Sequence, residues 1–256
     1  MIIKEDDYLE HFGVKGMKWG VHKKDKSKSK LEYGRTHNRT LKSGTEIQNI
    51  SRRKLDPNSK RSNRLYASYD PYDNLNYIDT MAGFQYNWHG YKNTFKVKKD
   101  IKIASEKEAV KTFQEMYKEN PERLSKAMHT AYNATHFFSK NQKYFDKKLS
   151  NIVDNDKSYK IGRELMNHLP MTTKTADIMN DFYSRMLVKG FDAVLDTNDA
   201  YGMMKSKDPL IIFNMDKLGD HQTVKLTKKD IDDAFRITSK DKEFKKTSKD
   251  FSLVAR

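Results

Sequence analysis

The chain contains no cysteine among its 256 residues, which removes disulfides, zinc ribbons and thiol nucleophiles together and fits a reducing compartment. No run of 18 apolar residues occurs, so no membrane span is expected and no membrane partner. The opening MIIKEDDYLEH is acidic and lacks an apolar core, so it does not read as a secretory signal. HExxH, GxGxxG and Walker-type loops are all missing, and with them the usual zinc and phosphate cradles. No internal repeat of fixed period is found.

Hydrophobic residues are sparse at 36%, while charged residues reach 33%, a balance that predicts one medium-sized core with much solvated chain around it. Lys and Arg outnumber Asp and Glu by 50 to 35, giving a net charge of +15. Such an excess favours an acidic counterpart: nucleic acid, an anionic surface or an acidic protein face. It is densest at 23–42, KKDKSKSKLEYGRTHNRTLK, where eight basic residues stand against two acids. No aromatic interleaves with the lysine run, as base stacking would require, so a solvated linker with weak nucleic-acid contact is expected.

The pattern predicts an α+β fold: a small mixed or antiparallel sheet core with flanking helices, preceded by a flexible N-terminal segment. Its expected parts are a peptide over 1–22, a basic linker over 23–42, a folded domain over 43–218 and a charged extension over 219–256. TEIQNIS, RLYASYD, FDAVLD and PLIIFN read as strands, and YKNTFKVKKDIKI as one strand or two. Ser105 and Glu108 have capping-box spacing ahead of Ala109, Val110, Phe113, Met116 and Tyr117, which predicts a helix ending at Asn120-Pro121. A second helix is expected over 175–188, its apolar stripe made by Ile178, Met179, Phe182, Met186 and Leu187, with Gly190 as a left-handed cap. A third is expected near 228–238, with Ile231, Ala234 and Phe235 on one face. The tyrosine-rich stretch YASYDPYDNLNY reads as a strand running into a loop.

Candidates for chemistry are few. Asp192, Asp196 and Asp199 are close enough in sequence to suggest a divalent cation, but the glycine and terminal glutamate of an EF-hand loop are lacking, and turn-forming aspartates are the plainer reading. His89 and His136 stand alone beside aromatics, so no metal site is expected.

One segment is unlike the rest. HFGVKGMKWGVHKK is too apolar for a solvated tail and too rich in glycine for a helix interior. It resembles a short signature, roughly H-[FY]-G-V-K-G-M-K-W-G-V, of proteins encoded by phages and prophages of Gram-positive bacteria, where it is joined to otherwise different domains. The resemblance implies a docking peptide with Phe12, Val14, Met17 and Trp19 as pocket-filling anchors. Over 43–218 the chain also resembles the ADP-ribosyltransferase-like domains of phage and mobile-element proteins. That resemblance implies a cleft for NAD, with an Arg or His on the first strand, a Ser on the next and a Glu near the last. Asn49 stands where the Arg would be, with Arg52 and Arg53 shifted from it; Ser68 matches the serine; Asp208 is the acid nearest PLIIFN. The implied cleft is degenerate, and no cofactor is expected.

Three functions follow as expectations. The first is a virion-associated protein, docked to a phage capsid or portal component and located in the virion or the bacterial host cytoplasm. The second is an effector that transfers ADP-ribose from NAD to a host protein. The third is a basic packaged protein that binds nucleic acid.

Overall fold

The computed structural model describes residues 37–55, 64–83, 89–134, 175–196, 199–200 and 206–239. The peptide over 1–22, most of the basic linker and His136 lie outside these residues. In chain order the elements are β1 (Arg39–Leu41), β2 (Glu46–Ser51), β3 (Leu65–Ser68), α1 (Pro71–Gly83), β4 (Tyr91–Val97), β5 (Ile101–Ala104), α2 (Glu106–Glu119), α3 (Pro121–Ala134), α4 (Ala176–Val188), β6 (Ala193–Leu195), β7 (Pro209–Ile212), β8 (Leu218–Lys225) and α5 (Lys228–Thr238). The fold is α+β, with eight strands, mostly antiparallel in their pairing, and five α-helices among the described residues. The chain divides into two compact units, one of residues 1–39 and 102–194, the other of residues 40–101 and 195–256.

The first unit is mainly helical. Ser105 caps α2 as its sequence spacing predicts: its hydroxyl accepts from the Glu108 amide at 3.2 Å. Ala109, Val110, Phe113 and Met116 turn inward, as the helical period requires. Asn120 ends α2, and Pro121 starts α3, where its missing N–H costs nothing. On α4, Ile178, Met179, Phe182 and Met186 are buried as expected, and Tyr183 joins them. Leu187 does not: it is 41% exposed, because it sits in the last turn beside solvent-facing Val188, and Gly190 at φ 82° then ends the helix. Phe113 and Phe182 stack with centroids 4.1 Å apart, both almost wholly buried. On the surface, Arg185 forks onto Glu119 at 2.7 and 2.6 Å and also bonds Asp181, which pairs with Arg123. These exposed pairs set orientation more than stability. The parallel partners β5 and β6 complete the unit.

The second unit holds an antiparallel sheet in the order β7-β3-β2-β4-β8. Side chains alternate across its faces, so the register decides which residues meet. Ile47 lies opposite Phe95, Asn49 opposite Asn93 and Gln48 opposite Ser68. Gly44, at φ 88°, makes the turn into β2 and donates to the Val97 carbonyl at 2.8 Å.

Four elements differ from the sequence expectation, the first being residues 39–41, expected within the basic linker, which form β1. Residues 71–83, expected as a loop, form α1, because Asp70 caps it, accepting from the Tyr72 amide at 2.7 Å, and Pro71 takes the first helical position. Residues 218–225, expected as charged tail, form β8 at the sheet edge, where weak apolar alternation hid it. In α5, Ala234 is buried but Phe235 is 61% exposed, so the inward face is set by Ala234 and Thr238.

Replacing Phe182 with Ala should cost about 3–5 kcal/mol in urea unfolding, the range for deleting a buried ring. Val188→Ala, at a position 89% exposed, should stay within about 0.5 kcal/mol of wild type. A Phe182→Ala loss no larger than that of Val188→Ala would mean the ring stack is not part of the core.

Candidate functional site

The residues singled out for a cleft lie in the second unit, and two of them meet. Ser68 ends β3 and is fully buried; it stands opposite Pro209, the first residue of β7, so Asp208 arrives beside it. What joins them is Asp73, in the first turn of α1 and 1% exposed. One of its oxygens, Oδ1, accepts from the Lys207 amide at 2.8 Å, while Oδ2 accepts from the Asp208 amide at 2.9 Å and from Ser68 Oγ at 2.8 Å. Ser68 Oγ in turn accepts from the Asp70 amide at 3.0 Å. The serine hydroxyl is therefore committed as donor and as acceptor, with no exposed surface. Burial holds the Asp73 carboxyl above the usual carboxylate range; the three donors pull it down, and nearby Asp70 adds to the rise.

Asn49 belongs to a different arrangement. Thr223 Oγ1 on β8 donates to Asn93 Oδ1 on β4 at 2.8 Å. Asn93 Nδ2 donates to Asn49 Oδ1 at 3.0 Å and to Ser51 Oγ at 2.9 Å on β2. Asn49 Nδ2 donates to the Tyr66 carbonyl on β3 at 2.8 Å. A continuous line of amide and hydroxyl bonds thus crosses four strands, with Asn49 and Asn93 both buried. It is electrically neutral and holds register; the Asn49 side chain is buried and bonded through both its oxygen and its nitrogen. Arg52 and Arg53 are exposed in the bend after β2.

The three aspartates of FDAVLDTND do not form one ligand set. Asp192, in the first unit, accepts from the Lys102 amide at 2.9 Å. In the second unit, Asp196 Oδ1 accepts from the Asp199 amide at 3.3 Å, and Asp199 Oδ2 accepts from the Tyr77 hydroxyl at 2.7 Å. Burial, then the charges of Asp199 and Asp196, push the Tyr77 phenol well above its ordinary value, so it stays a proton donor. Among the described residues no group of three or more His, Cys, Asp or Glu is arranged to hold a metal ion. Nor is any of their helices long and apolar enough to cross a membrane. The anchors Phe12, Val14, Met17 and Trp19 lie outside the described residues.

Sequence reasoning missed Asp73, Tyr77, Asn93 and Thr223. The DPYD run did carry a signal for Asp73: an N-cap aspartate, a proline and then an acid in the first turn, all helix-starting. Nothing local marks Asn93 or Thr223, because their partners are 44 and 130 residues away.

Asp73→Ala should lower stability by about 2–4 kcal/mol in urea unfolding, since it leaves two amides and a buried hydroxyl without their acceptor. Ser68→Ala, which removes one donor to Asp73 and the acceptor of the Asp70 amide but leaves the Lys207 and Asp208 amide bonds in place, should cost less, about 1–1.5 kcal/mol. Equal losses in the two variants would show that Asp73 is not the organising group.

Comparison with known proteins gives one family. The model of DUF7211, a family of unknown function, matches residues 3–26, a stretch that contains HFGVKGMKWG. No curated protein and no solved structure matches the chain.

Proposed function

We propose that this is a virion-associated phage protein, docked to a capsid or portal component by its N-terminal peptide, with a degenerate ADP-ribosyltransferase-like scaffold behind it. One observation carries the reading: the family match falls on residues 3–26, ahead of every described helix and strand. A short segment that a family model covers by itself suits a portable attachment element. Its composition suits that role. Phe12, Val14, Met17 and Trp19 supply apolar anchors, and glycines at 13, 16 and 20 let a partner's backbone come close. The basic run over 23–42 gives the domain reach from its anchor.

The scaffold part of the reading is supported by the placing of Asn49 and Ser68 on neighbouring strands, with Asp208 entering β7 opposite Ser68. The same geometry argues against transfer chemistry. A pyrophosphate needs a cation on the first strand, and Asn49 supplies a neutral amide already bonded to Asn93 and Tyr66. An oxocarbenium-like state needs a carboxylate facing it, a term on the order of 3 kcal/mol in the barrier. Asp73 is the carboxylate beside Ser68, and both its oxygens are turned to internal donors.

Deletion of residues 1–22 should leave urea unfolding of the remainder within about 0.5 kcal/mol of the full chain while abolishing co-purification with phage particles. Trp19→Ala alone should weaken binding to the particle by about thirtyfold, the equivalent of roughly 2 kcal/mol for a lost aromatic anchor. The purified chain should consume no NAD. Particle binding that survives the deletion sinks the docking reading, and NAD consumption lost in Ser68→Ala would replace the scaffold with an enzyme.

A further inference from the structure

Helices α1 and α5 pack against each other in the second unit, and a carboxylate lies in their contact. Asp79 of α1 is 7% exposed, flanked on its helix by buried Ile78 and Met81. It has one hydrogen-bond donor among the described residues: Thr238 Oγ1, at 3.0 Å, in the last turn of α5 and fully buried. An ionised carboxylate offers about four lone-pair sites, so most of this one's acceptor capacity is unused.

Among the described residues no cation is paired with it. On α5, Lys228 bonds Asp232 at 2.9 Å, Arg236 bonds Asp233 at 3.1 Å, and Asp230 is held by Thr227 in a capping box; Lys229 is exposed. On α1 the other acid, Asp73, is engaged by Ser68, Lys207 and Asp208. Of the strands packed on α1, β2 carries only Glu46, which is exposed, and β3 carries no charge. The acid form suits this site better. Thr238 Oγ1 is also 3.0 Å from the Ala234 carbonyl, so a protonated Asp79 can donate to the threonine oxygen while the threonine proton returns to that carbonyl. All members of the chain are then satisfied.

We propose that Asp79 and Thr238 form a pH-graded latch between α1 and α5, closed when Asp79 is protonated and loosened when it is ionised. Burial holds the Asp79 carboxyl above the usual carboxylate range, with the Thr238 bond pulling the other way. The sign follows. A carboxyl whose folded-state value is raised contributes stability that is complete below its unfolded-state value and is lost as pH rises through the folded-state value. Acid tightens α5 on α1; neutral and alkaline conditions loosen it.

Amide exchange of the full chain, corrected for intrinsic rates, tests this at about pH 4.5 and about pH 8. Protection of α5 should be higher at the lower pH, by a factor set by how far burial raises the Asp79 carboxyl. In Asp79→Asn, whose amide oxygen can accept from Thr238 and which has no charge to gain, that difference should disappear. Should that variant not fold, a carboxyl NMR titration of the wild-type chain replaces it, and Asp79 should titrate above the exposed aspartates. Protection of α5 that does not change with pH overturns the latch. So does an Asp79→Asn variant with the wild-type pH dependence, or an Asp79 that titrates with the surface carboxyls.

Discussion

The second unit is organised around one carboxylate. Asp73 reaches from the first turn of α1 to the end of β3 and to the backbone that enters β7, and binds all three through Ser68, Lys207 and Asp208. The pairing of β3 with β7 begins where this bridge holds it, at Ser68 opposite Pro209. Burying a charge is unfavourable unless its acceptor sites are filled, and three donors at 2.8 to 2.9 Å fill most of them. A neutral side chain of the same shape would present a donor where at least one backbone amide already points. The chemistry of the site is thus fixed by the two amides, and the serine is a consequence of that arrangement.

Elsewhere in the unit polarity is handled without charge. The line from Thr223 through Asn93 and Asn49 to the Tyr66 carbonyl runs across β8, β4, β2 and β3. A slip of one residue would turn every member of that line to the other face, so the buried amides make one register far better than its neighbours. The first unit also buries a carboxylate, Asp192, which accepts from the Lys102 amide. It relies on the Phe113–Phe182 stack and the aliphatic residues around it, with ion pairs left at the surface.

Much of the fold was legible in the sequence where short-range signals acted alone. Ser105 with the apolar stripe of α2, Gly190 after α4, and the β-branched PLII of β7 each gave their element directly. The α1 segment was misjudged because tyrosine and asparagine, common in loops, outnumber its aliphatic residues; the capping by Asp70 and Pro71 was the better guide. The β8 strand escaped because an edge strand needs little apolar alternation. For the candidate site, the sequence named Asn49, Ser68 and Asp208 by resemblance but could not show their partners. Buried polar residues acquire meaning only from contacts distant in the chain, such as the 134 residues between Asp73 and Lys207.

Those partners change what the named residues can do. A serine poised for chemistry keeps one face of its hydroxyl open to a substrate, and a recognition asparagine keeps an amide unbonded. Ser68 and Asn49 do neither, since each is buried and bonded on both its donor and its acceptor side. Around Ser68 and Asn49 the polar interior therefore serves the cohesion of the second unit. Under the proposed reading, recognition falls instead to the N-terminal segment. The segment that contains Trp19 and Met17 is the one a family model matches, and it is also the one whose apolar residues no sheet or helix pattern requires for a core. Under that reading stability and attachment change independently, which is what a peptide joined to different domains would need.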